Sequence, residues 1–66
     1  MKNHFSENIK RLREVAKLTQ KELAEKLGIT PRKVSYWENG KIEPDMDTLI
    51  LISNFFDESI DDLLNN

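Results

Sequence analysis

The sequence predicts an all-α fold, a compact bundle of five short helices around one core. Three observations predict it. Apolar residues recur at three- and four-residue spacing along most of the 66-residue chain, and no segment alternates as a strand would. Four of the five apolar segments open on Thr, Asp or Ser, and two of them close on Gly28 and Gly40. No cysteine is present, so neither a disulfide nor a thiolate metal site can staple the fold. A chain this small buries only about 60% of the surface its unfolded form exposes. Close helix packing and association with a second copy are the supports left to it.

Helix 1 is expected over residues 5–16, where Phe5, Ile9, Leu12 and Ala16 share one helical stripe. Helix 2 spans Gln20 to Leu27. Thr19 and Glu22 form a Thr-x-x-Glu capping box ahead of it, which satisfies two free backbone donors. Leu23, Ala24 and Leu27 make its core face, and Gly28 supplies the left-handed residue that ends it. Helix 3 runs from Pro31 to Asn39. Thr30 is its N-cap, Pro31 stands where a missing N–H does no harm, and Gly40 stops it. Residues 41–44 form a loop. Helix 4 covers Met46 to Phe56 behind an Asp45 cap, and helix 5 covers Ile60 to Leu64 behind a Ser59-x-x-Asp62 capping box. No repeat or low-complexity segment interrupts residues 1–66, which read as one domain.

Helices 2 and 3 define the functional reading. Only Ile29 separates the glycine that ends one from the threonine that opens the other. Helices joined so tightly cannot lie antiparallel and must cross steeply. That arrangement is a helix-turn-helix, whose second helix usually enters the DNA major groove. At 100° per residue, Val34 and Trp37 of helix 3 point to one side and anchor it inward. Arg32, Ser35, Tyr36 and Asn39 occupy the opposite arc, with Lys33 on the flank. A guanidinium can fork onto guanine O6/N7, and Asn or Ser can reach base edges or phosphates. Tyr36 offers a ring for a thymine methyl and a hydroxyl for a phosphate.

The net charge of -2 conceals a division. Residues 1–41 carry ten Lys/Arg against five Glu, whereas residues 42–66 carry seven Asp/Glu and no Lys or Arg. The helix-turn-helix thus lies in the basic part, and such asymmetry is a nucleic-acid cue that the overall charge hides.

The chain resembles the phage-repressor and Cro-type helix-turn-helix family of bacterial and phage transcriptional regulators, the XRE-like group, whose domain is lambda-repressor-like. The resemblance runs through Ile9-Lys-Arg-Leu-Arg13, Leu18-Thr-Gln-Lys-Glu-Leu-Ala24, Trp37-Glu-Asn-Gly-Lys41, Glu43-Pro-Asp45, Thr48-Leu-Ile50 and Ile60-Asp-Asp-Leu-Leu64. It implies that Gln20 grips a phosphate and braces helix 3. It implies that Thr30, Arg32, Lys33 and Tyr36 read bases or flanking phosphates, and that Asn39 and Lys41 contact the backbone. It also implies a partly buried ion pair between Arg13 and Glu38. The chain departs from the family after Phe55-Phe56, where Asp57 and Glu58 replace a glycine and an apolar residue. Asp57 must then take a left-handed conformation, at a cost of roughly 1 kcal/mol. Leu51 and Phe55, four apart, form either an exposed apolar ridge or part of the core. With Glu58 and Ile60 they are the candidate dimer contacts.

The function this implies is sequence-specific binding of double-stranded DNA, in which a homodimer occupies a palindromic operator and represses transcription. The rival reading is an antitoxin or other protein-interaction module on the same fold, its acidic part masking a partner. An enzyme is not expected, since no nucleophile elbow or phosphate loop appears. The adjacent Asp61 and Asp62 point in different directions. His4 is the lone histidine, so no metal is expected, and neither is a cofactor or small-molecule ligand. The N-terminus lacks an apolar signal core and the longest apolar run, Leu49 to Ile52, cannot span a bilayer. A cytoplasmic protein without membrane contact is expected.

Overall fold

The structure is a computed structural model that describes residues 3–65. It contains α1 (Phe5–Val15), α2 (Gln20–Leu27), α3 (Pro31–Glu38), α4 (Met46–Phe56) and α5 (Ile60–Asn65), with no strand among the described residues. Helix α3 packs chiefly on α2 and α1, while α5 packs on α1 and α4. The core gathers Phe5 and Ile9 of α1, Leu23, Ala24 and Leu27 of α2, Val34 and Trp37 of α3, Leu49 and Ile52 of α4, and Leu63 of α5. Each large apolar side chain so buried contributes about 1.5–3 kcal/mol relative to exposure. Trp37 and Phe5 meet edge to face, 5.9 Å apart at 78°, which pins the last turn of α3 to the start of α1.

The helix starts are local hydrogen-bond devices. Thr19 Oγ1 accepts from the Glu22 N–H at 3.0 Å, and the Glu22 carboxylate accepts from the Thr19 N–H at 2.8 Å. Thr30 Oγ1 accepts from the Lys33 N–H at 3.3 Å, and Asp45 Oδ1 from the Thr48 N–H at 2.8 Å. Ser59 Oγ accepts from the Asp62 N–H at 2.9 Å, opening α5. Each cap of this kind contributes about 1 kcal/mol.

Four helix ends close through a left-handed residue, and two of these lack glycine. Gly28 (φ 72°) and Gly40 (φ 71°) are joined by Lys17 (φ 59°) and Asp57 (φ 54°). Asp57 thus adopts the conformation its position demanded. The Lys17 turn was not anticipated. The Leu18 N–H returns to the Arg13 carbonyl at 3.1 Å and the Lys17 N–H to that of Glu14 at 3.0 Å, a Schellman closure. This turn folds Leu18 onto the core. It also stops α1 at Val15 and leaves Ala16 exposed, so Ala16 does not complete the core stripe expected of it. Helix α3 stops one residue earlier than expected, with Asn39 as its cap, and α5 continues one residue further.

Candidate nucleic-acid interface

The outward face of α3 carries the residues that the sequence singled out. Arg32 and Lys33 are exposed on its first turn, Tyr36 is exposed further along, and Ser35 is half-buried between them. The structure joins these residues in pairs. Asn39 Nδ2 donates to Ser35 Oγ at 3.3 Å. The Lys41 ammonium lies 5.7 Å from the centre of the Tyr36 ring, close enough for a cation–π contact. That pairing follows from Gly40, whose left-handed turn lets the Lys41 N–H reach the Tyr36 carbonyl at 2.9 Å. Thr30 stands at the edge of the face with its hydroxyl engaged as the cap.

Behind this face, Glu38 ties α3 to the rest of the domain. Its carboxylate accepts from Arg13 Nε at 2.6 Å, Arg13 Nη2 at 3.1 Å and Gln20 Nε2 at 3.2 Å. Arg13 Nη1 also donates to the Leu18 carbonyl at 2.8 Å. The two ion-pair side chains are only 13% and 4% exposed. Hydrogen bonding to the Glu38 carboxylate raises the Arg13 pKa above its ordinary value, against the lowering effect of burial and with the help of the Glu38 charge. One carboxylate thus joins α1, the start of α2 and the end of α3, and its charge is neutralised beside the exposed polar face. Gln20, which the resemblance places at the start of α2, bonds to Glu38 and so links α2 to the end of α3.

The candidate dimer contacts divide. Leu51 is 43% and Phe55 40% exposed, which resolves the open question in favour of a ridge. Ile60 is half-buried against the core. Glu58 is half-buried, its N–H donating to the Ser53 carbonyl and its own carbonyl accepting from the Ser53 hydroxyl. Met46 and Ile50, on the other flank of α4, are also exposed and were not singled out. Sequence reasoning missed Asn8 as well, a buried amide on α1 that bonds to α5. Its helical phase beside Phe5 and Leu12, at the edge of the apolar stripe, was the available signal. Among the described residues no cluster of His, Cys, Asp or Glu is placed to hold a metal, and no helix is long and apolar enough to cross a membrane.

A family model described as helix-turn-helix matches residues 9–63, which include every residue that joins α2 to α3. The chain belongs to the XRE-type helix-turn-helix family of transcriptional regulators. This helix-turn-helix chain is 53% identical over 60 residues to an uncharacterized HTH-type transcriptional regulator, YqaE, of Bacillus subtilis, covering 91% of the chain and 52% of the relative. It is 44% identical over 61 residues to the HTH-type transcriptional activator BcrR of Enterococcus faecalis, covering 92% of the chain and 30% of the relative. The chain therefore spans about half or less of these relatives. A transcriptional regulator from Listeria innocua superposes with a TM-score of 0.89 at 34% identity, over 97% of this chain and 60% of that one. Hydroxypropylphosphonic acid epoxidase from S. wedmorenis also superposes, with a TM-score of 0.81 at 38% identity, over 91% of this chain and 32% of the enzyme. The same helical unit thus occurs within an enzyme, and fold alone does not decide activity.

Proposed function

We propose that this chain is the DNA-reading domain of a sequence-specific transcriptional regulator that represses by occupying a palindromic operator as a homodimer. The observation that carries the reading is the outward face of α3. Arg32, Ser35, Tyr36 and Asn39 are presented together, with Lys33 and Lys41 at its two ends, on a helix held from behind by Trp37 and Glu38. A rigid helix with a fork-shaped cation in its first turn suits base edges in the major groove. The lysines at its ends suit the flanking phosphates and make affinity fall with salt.

The second copy would meet the first along Leu51 and Phe55. Two such side chains from each copy, about 40% exposed, contribute roughly 2–5 kcal/mol on burial. Association costs about 4–15 kcal/mol in lost freedom. The ridge alone therefore does not hold a dimer at ordinary concentrations. The dimer forms on DNA, where two half-sites roughly 34 Å apart bring the copies together.

Selection of bound sequences from random duplex DNA, with sedimentation of the same sample, tests the reading. The expected result is a palindromic winner, a monomer when free and two chains per duplex. Arg32→Ala should lose about 1–3 kcal/mol of discrimination at one base pair, whereas Gln20→Ala should weaken binding to all sequences alike. The proposal fails if no sequence is enriched, an outcome that favours the protein-interaction module. It also fails if both variants keep wild-type affinity and preference.

A further inference from the structure

Helix α4 follows α3 in sequence, yet α4 packs chiefly on α5, α5 on α1, and α1 on α3. The apolar ridge of α4 is therefore placed relative to the α3 face mainly through the seam between α1 and α5. That seam holds a buried polar joint. Asn8 is 4% exposed. Its Nδ2 donates to the Asp62 carbonyl at 3.2 Å and to the Leu63 carbonyl at 2.9 Å. The His4 N–H donates to the Leu64 carbonyl at 2.7 Å. The carbonyls of three successive residues in the last turn of α5, Asp62, Leu63 and Leu64, thus accept from the start of α1. Asn8 Oδ1 in turn accepts from Arg11 Nη2 at 3.3 Å, so both ends of the amide are engaged.

Apolar contacts tolerate sliding, whereas a side-chain amide aimed at two fixed carbonyls does not. Helix α5 has six residues and little stability of its own, so its direction depends on what grips it. We propose that Asn8 is a positioning residue. It fixes the direction of α5, and through α5 the angle between the α4 ridge and the reading face of α3, and so sets the half-site spacing that two copies accept. This proposal rests on the reading of the chain as a dimer on DNA.

The test measures affinity for a single half-site and for duplexes whose two half-sites are brought one to three base pairs nearer or further apart. Each added base pair turns one copy by about 35° around the duplex. The wild-type chain should show one optimal spacing and lose about tenfold or more in affinity away from it, because simultaneous engagement is forbidden there. Asn8→Ala, and Asn8→Asp, which keeps the size but cannot donate, should keep single half-site affinity within about twofold and flatten the spacing preference to about threefold. Ser59→Ala loosens α5 from its opposite end and should flatten the preference in part. It decides the matter if the Asn8 variants do not fold, as judged by circular dichroism. Variants that keep the sharp optimum of the wild type overturn the proposal. So do variants that lose half-site and palindrome affinity in equal proportion, since that is a general loss of folded protein. A wild-type chain with no optimum overturns the dimer reading itself.

Discussion

Replacing Glu38 by Gln keeps the size of the side chain and removes its charge. The structure sets the expected cost. Arg13 would keep its bond to the Leu18 carbonyl but lose the carboxylate that accepts from both Nε and Nη2. Breaking a buried pair by removing one partner costs about 3–5 kcal/mol. Arg13 is still 13% exposed and the Gln oxygen can accept one bond, so the lower end, about 3 kcal/mol, applies. A domain of this length has a net stability of only about 3–10 kcal/mol. At 4–8 °C per kcal/mol for a domain of this size, Tm should fall by about 12–24 °C. Thermal and urea unfolding followed by circular dichroism, with the single Trp37 as a fluorescence probe, measures this. A second arm separates charge from packing. The double variant Arg13→Met with Glu38→Leu removes both charges and should recover at least half of the loss, since apolar replacement of a buried pair is often near neutral. A loss below about 1 kcal/mol in Glu38→Gln, or a double variant no better than the single one, would refute the claim that this ion pair joins α1 to α3.

The remaining predictions concern the helix ends. Hydrogen bonds from the Thr19 backbone and side chain hold the Glu22 pKa below its ordinary 4.5, and hydrogen bonds from the Thr48 side chain and backbone hold Asp45 below 3.8. Because both folded values are depressed, the unfolded chain takes up protons first as pH falls. The stabilisation is complete above the ordinary values and is lost as pH drops through the folded ones. The fall in Tm below about pH 4 should therefore be shallower in the Glu22→Gln, Asp45→Asn double variant, and an unchanged slope in melts across that range would count against these caps. Asp57→Gly and Lys17→Gly should each stabilise the domain by about 0.5–1 kcal/mol, because both positions hold left-handed residues. Urea midpoints that do not rise would show that the strain is absent.

Much of the reading unit is legible because its determinants are local. Thr19 and Glu22 are three residues apart, Pro31 follows Thr30, and one residue joins Gly28 to Thr30. Each device acts within one helical turn, so the bounds of α2 and α3 can be read from neighbours along the chain. The periodicity of Val34 and Trp37 then decides which face of α3 turns outward. The end of α1 was not legible in the same way. Lys17 gives no signal of a left-handed turn, which seats Leu18 on the core and brings the Leu18 carbonyl to the Arg13 guanidinium.

The helix-turn-helix from Thr19 to Gly40, and the polar face it turns outward, were determined by the sequence alone. Tertiary structure decided what each remaining polar side chain met. Arg13 reaches Glu38 across 25 positions, and Asn8 reaches Leu63 across 55. It also decided that Leu51 and Phe55 stand outside the core while Leu49 and Ile52, on the same helix, stand inside. The physical reason is common to these cases. Helical phase fixes the direction in which a side chain leaves its own helix, but the partner it finds depends on how separate helices are stacked.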